Sequence, residues 1–171
     1  AEALGLPDEE ARAAREAALL AKADLLTAMV GEFPELEGIM GGRYAAIQGM
    51  EPLVAKAIAE HYMPKGARDS IPSRGAPAVV ALSDKLDTLA VSFSLGIEVS
   101  GSQDPLGLRR NALGVVAIVM GHGYDLTMED LVGLPLKLAT GVVSEPSPDA
   151  RSRLEAFLKA RVETVIHERG F

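Results

Sequence analysis

Residues 76–93, APAVVALSDKLDTLAVSF, decide the fold class. Val79, Leu82, Leu86, Leu89 and Phe93 recur at intervals of three and four, which on a 3.6-residue helix draws one apolar stripe. A strand would alternate every second residue, and no segment on either side sustains that alternation. The sequence therefore reads as all-α.

Upstream, LPDEEARAAREAALLAKADLLTAMVG (6–31) offers Asp8 as an N-cap, with Glu9 and Glu10 suited to the positive end of a helix dipole. Leu19, Ala23, Leu26 and Val30 repeat at helical spacing before Gly31, which predicts one helix with that stripe as its core face. In FPELEGIMGGRYAAIQG (33–49), Pro34 suits a first helical turn, whereas Gly38, Gly41 and Gly42 each cost a helix interior about 1 kcal/mol. Gly38 and Gly42 share a face, so close approach of a neighbouring helix is the expected compensation; a functional backbone-approach site is the alternative. Pro52 opens LVAKAIAEHYM (53–63), and PKGARDSIPSRG (64–75) reads as an exposed loop.

Downstream, LGIEVSGSQ (95–103) reads as a linker. Asp104 is placed to cap, and Pro105 to take the first position of, a helix over DPLGLRRNALGVVAIVM (104–120). Thr127 and Asp130 make a capping box with Asp in place of Glu, opening a helix to about Leu138. Ser147 and Pro148 start the last helix, with Leu154, Phe157, Leu158, Val162, Val165 and Ile166 on one side.

Composition narrows the chemistry. The 171 residues carry 17 basic and 24 acidic side chains, a net charge of −7, and residues 1–50 hold nine of the acidic groups against four basic ones. Bulk electrostatic binding to nucleic acid is excluded; any such role needs local basic clusters. The absence of Cys removes disulfides, thiolate metal sites and a Cys nucleophile, and fits a reducing compartment. His61, His122 and His167 are never three or four apart, so no helical zinc face exists. No phosphate loop, dinucleotide fingerprint or nucleophile elbow occurs.

Two local features remain. Asp84 and Asp87 lie three apart beside apolar positions, where carboxylates need partners: either metal or acid/base work, or structural ion pairing, which spacing alone favours. Arg109 and Arg110 point about 100° apart on a helix and suit either phosphate oxygens or surface ion pairs. His61 and His167, near helix ends, fit the negative end of a dipole better than catalysis.

Several stretches taken together resemble the β subunit of the bacterial two-subunit glycyl-tRNA synthetase: AALLAKADLLTAMVGEFPELEGIMGGRYA (17–45), ALSDKLDTLAVSFSLG (81–96) and GSQDPLGLRRNALGVV (101–116). The closing LEAFLKARVETVIHERGF (154–171) resembles that subunit's entry into its anticodon-binding helices. The resemblance implies a degenerate HD-domain-like helical bundle over 1–103 and a helical extension toward an anticodon-binding-type domain over 104–171. It also implies a cytoplasmic, non-catalytic piece of a longer subunit with no membrane association. ATP and Mg would be used by the α subunit, and the partners would be tRNA(Gly), the α subunit and the rest of the β subunit. Arg109, Arg110 and Arg43 are then the candidate tRNA contacts.

Active HD phosphohydrolases hold metal with a His–Asp dyad, an earlier His and a later Asp. With AALLAKADL on the dyad helix, Ala21 and Lys22 stand at the dyad and Asp84 matches the later Asp, so the resemblance implies no metal site and no catalytic residue here. Lys22, as a Lys inside an apolar helical stretch, is expected to pair with Asp84 within ~4 Å in place of a cation. A metal-dependent phosphohydrolase and a purely structural helical bridge are the alternative functions.

Overall fold

The computed structural model describes residues 1–66, 69–97, 99, 104 and 106–168, and every regular element among them is helical. In chain order these include α1 (Asp8–Leu20), α2 (Ala28–Glu32), α3 (Ile39–Ile47), α4 (Pro52–Glu60) and α5 (Ala76–Ser94). They continue with α6 (Leu108–His122), α7 (Leu134–Ala139) and α8 (Ala150–Glu168). Short 3-10 turns at Ala23–Leu26 and Pro34–Leu36 link α1, α2 and α3, and a π-helical turn, Glu129–Gly133, leads into α7. The fold is all-α, as the 76–93 pattern requires. The chain divides into two compact units, one of Ala1–Pro64 with Asp69–Ser83 and another from Asp84 onward; α5 runs from the first into the second. No described helix is long and apolar enough to cross a membrane.

Alanine dominates the core of the first unit. Ala13 and Ala17 of α1, Ala57 of α4 and Ala76 of α5 are fully buried, beside Val54, Ile58, Val79 and Val80. Small side chains let helix axes come close, and α4 packs on both α1 and α3. The expected close approach at the glycines is real. A Cβ on Gly42 would sit 2.7 Å from the Ala55 carbonyl oxygen and 2.7 Å from the Ala59 Cβ, and one on Gly38 would lie 3.1 Å from the Tyr62 ring. Tight contact with α4 offsets the helix-propensity cost of these residues.

The single helix expected from Asp8 to Val30 does not form. It stops at Leu20, and the chain makes the 3-10 turn before Thr27 starts α2 with its hydroxyl accepting from Val30 N at 3.4 Å. The cause lies outside the segment. Asp24 turns inward, 2% exposed, and its Oδ2 accepts from the backbone N–H groups of Gly38 (2.7 Å) and Gly41 (2.9 Å). A continuous helix would prevent that reach. The stripe read from spacing is correspondingly wrong: Val30 is buried, but Leu19 is 87% and Leu26 91% exposed.

In the second unit Leu89 and Phe93 of α5, Val115 and Ile118 of α6, Val132, and Leu154 and Leu158 of α8 are buried. Leu86 is only half-buried, and the α8 stripe thins beyond Leu158, with Val162 and Val165 half-buried and Ile166 exposed. The capping box forms in full: Thr127 N donates to Asp130 Oδ2 at 2.9 Å and Asp130 N to Thr127 Oγ1 at 3.2 Å. Helix α6 starts at Leu108 rather than at residue 105, because Gly107 (φ 65°) sits at its N-cap; Pro105 and most of the expected linker lie outside the described residues.

Candidate nucleic-acid interface

The start of α6 is organised by Asp104. Its carboxylate accepts from Arg109 N at 3.0 and 3.2 Å and from Arg110 N at 3.3 Å, and its carbonyl accepts from Gly107 N at 2.9 Å. A carboxylate from the preceding loop thus satisfies amides that a helix terminus leaves open. The left-handed Gly107 permits the turn, and a Cβ there would lie 3.0 Å from an Arg110 guanidinium nitrogen, so Arg110 folds back over the loop. Arg110 is exposed and Arg109 half-buried.

Helix α8 packs on α6 and brings a third cation to this end of the unit. The Arg161 guanidinium lies 4.3 Å from the centroid of the Phe157 ring, a cation–π contact, and Phe157 packs at a tilt against Phe93 of α5 with ring centroids 5.2 Å apart. Burial holds Arg161 below the usual guanidinium pKa, the nearby Arg109 charge lowers it further, and Asp104 partly offsets both. Arg109 and Arg161 thus share a neighbourhood with the Asp104 carboxylate, which is engaged with backbone N–H groups. Arg153, two turns earlier on α8, is spent differently: it lies 5.5 Å from the Phe93 ring and donates to the Ile97 carbonyl at 2.9 Å.

Sequence reading found Arg109 and Arg110 but missed Arg161. The signal was the Phe157–Arg161 spacing of four, an aromatic–cation pair on one helix face. Arg43 is exposed on α3 in the first unit. Ala21 is buried, Lys22 is exposed on the turn after α1, outside the helix in which the sequence placed it, and Asp84 is half-buried. The carboxylate buried in that stretch is Asp24, which sequence reading passed over. His61 is fully buried at the end of α4, with Nδ1 donating to the Ile58 carbonyl at 2.6 Å and its ring 3.9 Å from Tyr62. That is the helix-end role expected of it. Lys85, also missed, is buried on α5. Among the described residues no three His, Asp or Glu side chains come together as a metal-binding group.

The family described as glycyl-tRNA synthetase beta subunit matches residues 1–171. The chain belongs to this family. It is similar to the glycine–tRNA ligase β subunit of Desulfitobacterium hafniense strain DCB-2, at 41% identity over 169 residues, covering 98% of this chain and 24% of the relative. It is also similar to those of Geobacter metallireducens (42% over 154 residues; 90% and 22%) and Halalkalibacterium halodurans (42% over 172 residues; 99% and 25%). The chain thus spans about a quarter of the length of the β subunits it matches. The resemblance read from four sequence stretches extends over nearly the whole chain.

Proposed function

We propose that the chain is a non-catalytic, tRNA-contacting part of a glycine–tRNA ligase β subunit, in which Arg109, Arg110 and Arg161 hold the RNA backbone. The observation that carries this reading is the packing of α8 on α6, which brings Arg161, seated on the Phe157 ring, to the neighbourhood of Arg109 at the start of α6. Guanidinium groups match phosphate oxygens in geometry, and the Phe157 ring holds the Arg161 side chain so that little freedom is lost on binding. Arg43 is a further candidate contact. The partners in this reading are tRNA(Gly), the α subunit, which would use ATP and Mg, and the rest of the β subunit, all in the cytoplasm. An acidic chain can serve in this way because backbone contact to folded RNA needs only a locally basic face.

The test is glycine-tRNA binding by the complete two-subunit enzyme at several salt concentrations. Replacing Arg109 and Arg161 together by Ala should weaken binding several-fold and reduce the salt slope by about 1 for every phosphate that these side chains neutralise. Unchanged affinity with an unchanged slope refutes the assignment. Arg153→Ala is the comparison, since Arg153 is tied to Ile97 and Phe93: it should lower thermal stability and leave the salt slope alone.

A further inference from the structure

We propose that the leucine-rich ridge of the first unit, formed by Leu19, Leu20, Leu25, Leu26, Met29 and Phe33, is an interdomain surface that another part of the same β-subunit polypeptide covers. Fourteen large apolar side chains are exposed among the described residues, and eight of them fall between Leu19 and Ile47. Single exposed leucines are ordinary on a protein surface, whereas a concentration of them marks a place where something binds. Here Leu19 is 87%, Leu26 91%, Phe33 50%, Leu25 45% and Met29 41% exposed.

This exposure is built into the fold. Asp24 is drawn inward by Gly38 N and Gly41 N, and the Thr27 hydroxyl donates to the Asp24 carbonyl at 2.7 Å. Those bonds fix the turn so that Leu25 and Leu26 are turned outward. Helix α2 packs against the 3-10 turns on both sides of it, so residues 23–36 are one run of short elements held together, and the exposed apolar residues are concentrated along it. The unit meanwhile fills its interior with alanine.

The chemistry of the rim selects the occupant. Lys22 is the sole cation between residues 19 and 39, and Glu32 and Glu35 are exposed there, so RNA phosphate would be repelled. Two copies of the ridge would set those glutamates against each other, which disfavours a symmetric dimer. A protein surface with an apolar centre and a neutral or basic rim fits. The proposal rests on reading the chain as part of a β subunit, whose relatives are about four times as long, since the match covers 24% of one and 25% of another. Most of such a polypeptide lies elsewhere on the same chain, tethered at high effective concentration, and a modest intrachain interface suffices to hold it.

Hydroxyl-radical footprinting of the full-length β subunit, without its partner subunit, tests this at Met29 and Phe33. Both should label about tenfold more slowly than their intrinsic reactivity, independently of protein concentration and with no further change on adding the α subunit or glycine tRNA. Leu26→Glu, at a side chain already 91% exposed and so not needed for the unit itself, should raise labelling at Phe33 several-fold with unchanged circular dichroism. Open labelling in the complete enzyme, protection that appears only with the α subunit, only with tRNA or only at high β concentration, or a silent Leu26→Glu, each overturns the proposal. The arginine variants read RNA binding separately, so either reading can fail while the other stands.

Discussion

Replacing Asp24 by Ala should be among the most damaging single changes in the first unit. The side chain is 2% exposed, and its Oδ2 is the acceptor for two buried amides, Gly38 N at 2.7 Å and Gly41 N at 2.9 Å. A buried donor left without an acceptor costs about 1–3 kcal/mol, so two cost about 2–6 kcal/mol. Against that, the variant no longer buries a polar group whose other oxygen, Oδ1, finds no hydrogen-bond partner among the described residues, which returns about 1–2 kcal/mol. At the middle of these ranges the net expectation is a loss of about 2.5 kcal/mol, large beside a typical domain stability of about 5–15 kcal/mol. Asp24→Asn retains one acceptor oxygen and should lose about half as much. Urea unfolding followed by circular dichroism, with amide exchange at Gly38 and Gly41 to localise the effect, measures both. Asp87→Ala, at an exposed carboxylate on α5, serves as the control and should stay within about 0.5 kcal/mol. Equal losses for Ala and Asn, or a loss below about 1 kcal/mol for Ala, would show that the two amides are not what Asp24 provides.

Gly42→Ala places a methyl 2.7 Å from the Ala55 carbonyl oxygen and the Ala59 Cβ, so overpacking of about 1–3 kcal/mol should exceed the helix-propensity gain of about 1 kcal/mol; adding Ala59→Gly should recover part of the loss in thermal unfolding. Leu89→Ala, at a fully buried position, should cost about 2–5 kcal/mol, and Leu86→Ala, half-buried on the same helix, clearly less by the same assay. The Asp130 carboxyl is held below the ordinary carboxylate range by the Thr127 hydroxyl first and the Thr127 backbone N–H second. A lowered folded-state pKa stabilises the native chain above the unfolded value of about 3.9, and that contribution disappears as pH falls through the folded value. NMR titration should therefore find Asp130 below the usual midpoint, and Thr127→Val should move it back up.

The fold class was legible in the sequence because one long amphipathic pattern, residues 76–93, repeats at helical spacing and buries Val79, Leu82, Leu89 and Phe93 as read. Local punctuation was legible too: Pro52 opens α4, and the Thr127–Asp130 box closes as its residue types require. The break at Leu20 was not. Most residues from Ala11 to Val30 favour helix locally, and the deciding bonds join Asp24 to residues 14 and 17 positions further on. For the same reason Leu19 and Leu26 looked like core. At the basic cluster, Arg109 and Arg110 announce themselves as neighbours in the chain. Arg161 joins them only through the packing of α6 on α8, which no spacing encodes.

The clamp on α3 also fixes an order of assembly. A nine-residue segment containing Gly41 and Gly42 has little capacity to nucleate on its own, since the first turn of any helix is the costly one. Asp24 precedes Gly38 and Gly41 along the polypeptide, so the acceptor for their amides is already synthesised when they emerge from the ribosome. The loop to be closed is short and inexpensive in entropy. Helix α3 is thus templated by the turn before it, and a lesion at Asp24 would be felt as a helix that starts late before it is felt as a protein that melts early.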